Sequence, residues 1–223
     1  MIDASVNRQS YDKIAAQWAE SRNYSFVSQL VVDFAQLIKP GGNILDAGCG
    51  TGLPLGAYLL DQGFQLTGID ASPQMLASAR QNIGNRATLL HTDFFDFKPS
   101  GLFDGILAFD SFFHFPKAKQ QEIYPLLDRW LRPGGILLFT HGDKEGEISG
   151  EMFGEPFYYS CLNTGAVCDI LKQLNFEILF LKEDYRERDT DRALVIMAKK
   201  VIMEANQKGL PEDQADLSDT TLN

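Results

Sequence analysis

Three carboxylates, three glycines and two histidines hold the chemistry of this chain. In "ILDAGCGTG", residues 44 to 52, Asp46 is followed by Gly48, Gly50 and Gly52. Glycines at that density let a backbone turn tightly and lie close against a ligand. The dinucleotide fingerprint G-x-G-x-x-G needs its third glycine where helix packs on strand. Here that slot is Leu53, and Gly52 arrives one residue early. Charge discriminates better than spacing. A pyrophosphate wants free N–H groups and a positive helix end, which a neighbouring carboxylate opposes. A ligand with positive charge near its reactive atom has the opposite preference, so Asp46 beside a backbone cradle points to a cation. Two further acids, Asp70 and Asp93, close later strand-like stretches, and His114 and His141 follow two more.

These groups need a scaffold that brings strand ends together. Strand-like runs start at Asn43, Phe64, Thr88, Phe103 and Gly135, and their near-continuous apolar character suits strands covered on both faces. Helix-like runs alternate with them, as parallel strands with crossover helices require. Ser72 and Pro73 mark an N-cap and first helical position. Ile123, Leu126, Leu127, Trp130 and Leu131 form one apolar helical face ended by "RPGG", with Pro125 inside it. Two last runs, from Phe176 and Arg192, are split only by "RDTD", so the final strand should run antiparallel. The expected fold is α/β: a Rossmann-like three-layer sandwich, its seven-stranded, mostly parallel sheet ending in an antiparallel strand, with helices on both faces. His114 and His141 then lie at the carboxyl edge, where open α/β sheets bind ligands. For each, catalytic base and packing histidine weigh equally. Asp110 is a weaker base candidate.

Five stretches in this order resemble the class I S-adenosylmethionine-dependent methyltransferases: "ILDAGCGTG", "LTGIDASPQML", "HTDFFDF", "FDGILAFDSFFHF" and "LRPGGILLF". The donor's sulfonium and ammonium supply the cation that Asp46 calls for. The likeness, over roughly residues 8 to 200, implies a cofactor-binding set of Asp46, Ala47, Gly48, Cys49, Gly50 and Gly52. It adds Asp70 for the ribose, Ala71 and Met75 as further cofactor contacts, and Asp93 and Phe94 for the adenine. Ala108, Phe109 and Asp110 would lie beneath the methionine part. Tyr11 and Tyr24, in the leading cap, would close over the cofactor, and Arg22 would pair with its carboxylate. S-adenosylhomocysteine would be the product. The segment from Gly150 would help to cover the acceptor, its aromatics lining a pocket or packing a lid.

The resemblance implies methyl transfer to a small-molecule O, N, S or C nucleophile. "FDSFF" replaces the proline-rich motif used by exocyclic-amine methylases of bases, and no carboxylate set suggests a metal site. A net charge of -10 repels phosphate backbones and anionic lipid, so neither nucleic acid nor membrane is the expected partner. Cys49, Cys161 and Cys168 have no metal or CxxC spacing, the N-terminus has no signal-peptide core, and a cytoplasmic location is expected. The expected layout is one domain over residues 1–200, with a helical cap over 1–40 and a lid segment over 143–163. An acidic, disordered tail over 201–223 follows. A non-catalytic cofactor-binding or interaction domain is the first alternative, and an NAD-dependent oxidoreductase the second, opposed by Asp46 and Leu53. Oligomeric state is not legible.

Overall fold

Alternating apolar runs become strands because their β-branched and large side chains can bury on both faces of a pleated layer. A computed structural model of the chain describes residues 4–23, 26–188 and 190–202. The strands are β1 (Asn43–Ala47), β2 (Gln65–Asp70), β3 (Thr88–His91), β4 (Phe103–Ala108), β5 (Leu131–His141), β6 (Gly146–Met152), β7 (Glu155–Cys161), β8 (Phe176–Glu187) and β9 (Thr190–Lys200). The helices are α1 (Ser5–Asn23), α2 (Gln29–Gln36), α3 (Leu55–Asp61), α4 (Pro73–Ile83), α5 (Gln120–Trp130) and α6 (Thr164–Gln173). Seven strands form one sheet, as the sequence predicts, in the order β3-β2-β1-β4-β5-β9-β8. All neighbours in it are parallel except β9, which runs antiparallel to both β5 and β8.

The period of two sorts the sheet's side chains into two cores. Leu45, Ile106, Leu137, Phe139 and Ile196 face α5 and α6, where Ile123, Leu127, Trp130, Val167 and Leu171 meet them. Ile44, Leu107, Leu138 and Val195 face the other way, onto Leu30, Val31 and Phe34 of α2 and Leu59 of α3. Each fully buried Leu or Phe contributes roughly 1.5–3 kcal/mol. These two layers hold the strand ends of β1, β2 and β4 side by side.

Local signals set where the elements begin. Ser72 caps α4: its hydroxyl accepts from the Met75 N–H at 3.1 Å, with Pro73 inside the first turn. Pro125 lies within α5. The fifth strand begins earlier than its apolar run suggests, at Leu131, because Leu131 is buried and pairs with Phe103 across a register shift. The residues after β5 also differ from expectation: 146–161 make an antiparallel hairpin, β6 with β7, separate from the main sheet. Of the acidic tail, Val201 and Ile202 are exposed, and 203–223 lie outside the described residues. No helix among the described residues is long and apolar enough to cross a membrane.

Candidate functional site

The glycine turn leaves β1 with Gly48, Gly50 and Gly52 all at positive φ (88°, 53° and 74°), a conformation that costs any residue with a side chain. Space forbids one as well, since a Cβ on Gly48 would stand 2.6 Å from the Ser111 Cβ. The turn is tied to the end of β2, where the Gly48 and Cys49 N–H groups donate to the Ile69 carbonyl at 2.9 and 3.0 Å. Asp70 holds it from the side, one oxygen accepting from Gly50 N–H and the other from Ser72 N–H, both at 2.8 Å. A carboxylate oxygen has two lone pairs, so these bonds leave acceptor capacity for a ligand's hydroxyls.

Asp46 is 5% exposed, and burial, followed by the nearby Asp70 charge, pushes its pKa to about 7. Burial also raises Asp70, against the two N–H groups that favour its charge. A buried acid beside a half-buried one is costly when both are charged, and a positively charged ligand relieves both. Cys49 is buried in the same turn, with its thiol pushed well up by burial and then by Asp70 and Asp46. It packs as a small protonated residue; a Cβ on Gly68 would meet its sulfur at 2.8 Å. Asp93 is exposed, and its Oδ1 accepts from Phe95 N–H at 2.9 Å.

Beside the turn lies a cavity of about 760 Å³, ample for a nucleoside-sized ligand. Of the residues expected to bind cofactor, Tyr11, Asp46, Gly48, Cys49, Gly50, Gly52, Asp70, Ala71, Met75, Asp93, Phe94, Phe109 and Asp110 line it. Ala47 and Ala108 are buried in the sheet behind. The Arg22 side chain and Tyr24 lie outside the described residues. Among the described residues no three His, Cys, Asp or Glu side chains gather into a metal-ligand set.

A second cavity of about 730 Å³ adjoins the first, walled by the β6–β7 hairpin and residues 140–148. Tyr11, Trp18, Asp110, His114, Thr190 and Arg192 line both. Asp110, at φ 56°, is gripped by Arg192 through two bonds of 3.0 Å, and the Arg192 guanidinium also lies 4.3 Å from the Phe109 ring centre. Thr140 accepts from the Asp110 N–H at 2.7 Å. Sequence spacing does not reveal Arg192, which reaches the site from the antiparallel strand β9.

The two histidines differ. His114 faces the Tyr158 carbonyl through Nδ1 at 3.2 Å; a carbonyl only accepts, so Nδ1 carries the proton. Its Nε2 then accepts from the Tyr11 hydroxyl at 2.9 Å. Burial pulls its pKa down to about 4, against the Tyr158 carbonyl and Asp110. His141 is 2% exposed, and its nitrogens face the Gly142 carbonyl and Gln120 Oε1, each at 2.9 Å. Burial lowers its pKa while the Gly142 carbonyl favours the charged ring.

Helix α1 joins these walls. The Asn7 side chain, 5% exposed, accepts from Tyr158 N–H at 2.8 Å and donates to the carbonyls of Tyr158 and His114 at 2.9 and 3.0 Å. At the other side Asp12 accepts from the Ser72 hydroxyl at 2.6 Å.

Comparison with known proteins agrees with this geometry. Residues 44–135 match the family model described as a methyltransferase domain. A putative methyltransferase of Bacillus subtilis, YqeM, is 35% identical over 139 residues, 58% of this chain and 54% of that one. An uncharacterized methyltransferase of Geobacillus kaustophilus is 30% identical over 133 residues, 59% of this chain and 61% of its own. The matches thus span about half to three-fifths of these curated relatives. The crystal structure of Burkholderia thailandensis 1,6-didemethyltoxoflavin-N1-methyltransferase, with bound 1,6-didemethyltoxoflavin and S-adenosylhomocysteine, superposes with a TM-score of 0.66 at 19% identity. It covers 89% of both chains. With the glycine turn, the acids closing β1 and β2 and the strand order all in place, residues 44–135 are similar to the methyltransferase-domain family, and the fold is that of the S-adenosylhomocysteine-bound methyltransferase it superposes on.

Proposed function

We propose that this protein transfers a methyl group from S-adenosylmethionine to a small-molecule nucleophile by in-line displacement, releasing S-adenosylhomocysteine. The observation that carries the proposal is the pair of cavities meeting at Tyr11 and His114, one bordered by Asp46, Asp70 and the glycine turn. When bound, S-adenosylmethionine supplies an electrophilic methyl on a cationic sulfur. Asp46 balances the positive charge, directly or through water, and Asp70 accepts from the ribose hydroxyls while holding the turn. Asp93 and Phe94 take the adenine, and Met75, Ala71 and Phe109 complete the wall. The Asp110–Arg192 pair fixes the end of β4 under the methionine part.

The leaving sulfur becomes neutral and needs no acid. Alignment of nucleophile and methyl is therefore the main task, and such alignment is worth ~7–11 kcal/mol. The chain achieves it with two covers, α1 over one cavity and the β6–β7 hairpin over the other. His114, at the junction, is placed to receive a proton if the acceptor must lose one, while His141 keeps both nitrogens on protein oxygens. The aromatic rings on the wall of the second cavity and an acidic surface support a small molecule over nucleic acid or membrane as partner, with the protein in the cytoplasm. The Burkholderia neighbour, crystallised with a small molecule beside S-adenosylhomocysteine, is consistent with that choice. The test is transfer of isotopically labelled methyl from S-adenosylmethionine into a metabolite pool. Label appearing in small-molecule products is expected. A protein that binds the donor yet labels nothing would instead be a non-catalytic binding domain.

A further inference from the structure

Granted the methyltransferase reading, the second cavity also says what kind of acceptor it admits. Its lining includes five rings: Trp18 and Tyr11 from α1, Phe113 and His114 after β4, and Tyr159 from β7. Ring centres are 5.9 Å apart for Tyr11–Trp18, 4.8 Å for Phe113–His114 and 5.1 Å for His114–Tyr159. The acids elsewhere on its wall are already engaged. Arg192 grips Asp110, Lys117 pairs with Glu145, Arg186 with Asp191 and Lys144 with Asp143, while Glu147 accepts from the neutral Tyr158 hydroxyl. A wall of rings on which four of the five acids face a cation favours a flat ligand that stacks on those rings.

At the junction stands a directed pair. The Tyr11 hydroxyl donates to His114 Nε2 at 2.9 Å, and the Tyr158 carbonyl pins the other ring nitrogen, so His114 is held with its basic nitrogen toward Tyr11. The Tyr11 and His114 rings meet edge to face, 5.3 Å apart. Both side chains line both cavities.

We propose that the second cavity takes a flat aromatic acceptor bearing a hydroxyl, and that Tyr11 is the catalytic residue that passes this hydroxyl's proton to His114. The acceptor oxygen bonds to the methyl carbon, and the electron pair of the broken sulfur–carbon bond stays on sulfur. The acceptor's proton goes to the Tyr11 oxygen as the Tyr11 proton goes to His114 Nε2. Charge closes: one positive charge on sulfur is replaced by one on the imidazole, so the junction's total is unchanged. With Nδ1–H on the Tyr158 carbonyl, the Nε2 lone pair faces the Tyr11 hydroxyl and can accept in the free protein, while burial opposes the charged ring. The same burial expels the proton to solvent once the product leaves.

The test is methyl transfer to substituted phenols, from phenol to 4-nitrophenol, which is already ionised near neutral pH. Wild type is compared with Tyr11→Phe, with S-adenosylhomocysteine affinity by calorimetry and the His114 ring nitrogens by NMR as readouts independent of turnover. Expected are turnover by wild type and a loss of ~10²–10⁴-fold on phenol in the variant. That loss should shrink toward 4-nitrophenol and at higher pH, with unchanged S-adenosylhomocysteine affinity and a shifted Nε2 resonance. Equal loss across the series, no loss, or no phenol turned over by a wild type that binds S-adenosylhomocysteine would overturn this inference alone. Failure of the wild type to bind S-adenosylhomocysteine would overturn the methyltransferase reading instead. Should Tyr11→Phe unfold, His114→Gln provides the same comparison.

Discussion

Asp46 is the residue on which the proposed recognition of a cation turns. Burial and Asp70 raise its pKa from 3.8 to about 7, so near neutral pH the free protein holds it partly protonated. For an acid whose folded value is raised, the contribution to stability is present below the unfolded value and disappears as pH rises through the folded one. Protonated Asp46 thus supports the empty fold in acid, and that support fades between about pH 4 and 7. A cationic ligand reverses the preference, because it binds best when Asp46 is ionised. Affinity for S-adenosylmethionine should climb by up to about tenfold per pH unit below 7 and level off above it. Asp46→Asn should flatten that profile and weaken binding; calorimetry from pH 5.5 to 8.5 reads both. A wild-type profile without slope would contradict the role given to Asp46. Among single residues, those in the local motif were legible: the three glycines needed positive φ, and Ser72 with Pro73 fixed the start of α4. Arg192 was not, because its partner Asp110 is 82 residues away and only the reversed strand β9 brings them together. The Tyr11–His114 bond spans 103 residues and escapes any reading of spacing for the same reason.

Between elements, the decisive contact is that of α1 with the hairpin. Asn7 pairs with both backbone groups of Tyr158, as a neighbouring strand would, and reaches the His114 carbonyl as well. Asn7→Ala leaves those buried groups without partners, a cost of about 1–3 kcal/mol. Urea denaturation should show that loss, and affinity for S-adenosylhomocysteine should drop with it, since Tyr11 and Trp18 ride on the same helix. An unchanged midpoint and affinity would mean that α1 docks by other contacts. The hairpin itself was hidden from periodicity. Strand β6, "GEISGEM", is exposed along most of its length and carries two glycines, so it lacks the apolar alternation by which strands are recognised. Its partner β7 has aromatics whose role, lining or packing, depends on which cavity they face. The long central strands were legible for the opposite reason: buried on both faces, they had to be apolar throughout.

At the scale of the molecule, two helical layers and a sheet in the order β3-β2-β1-β4-β5-β9-β8 bring the ends of β1, β2 and β4 together. The acids and glycines there face one cavity, and the rings and hairpin enclose the next. The net charge of -10 over 223 residues leaves the site's own acids as a small part of an acidic surface. Selectivity for a cationic donor therefore has to come from burial and geometry at the turn, since general attraction would admit any cation. The most direct measurement is isothermal calorimetry of the purified chain with S-adenosylmethionine, S-adenosylhomocysteine and NAD in parallel. One-to-one binding of the first two with no heat from NAD is predicted. Heat from NAD, with none from the sulfur-bearing ligands, would contradict the account at its base.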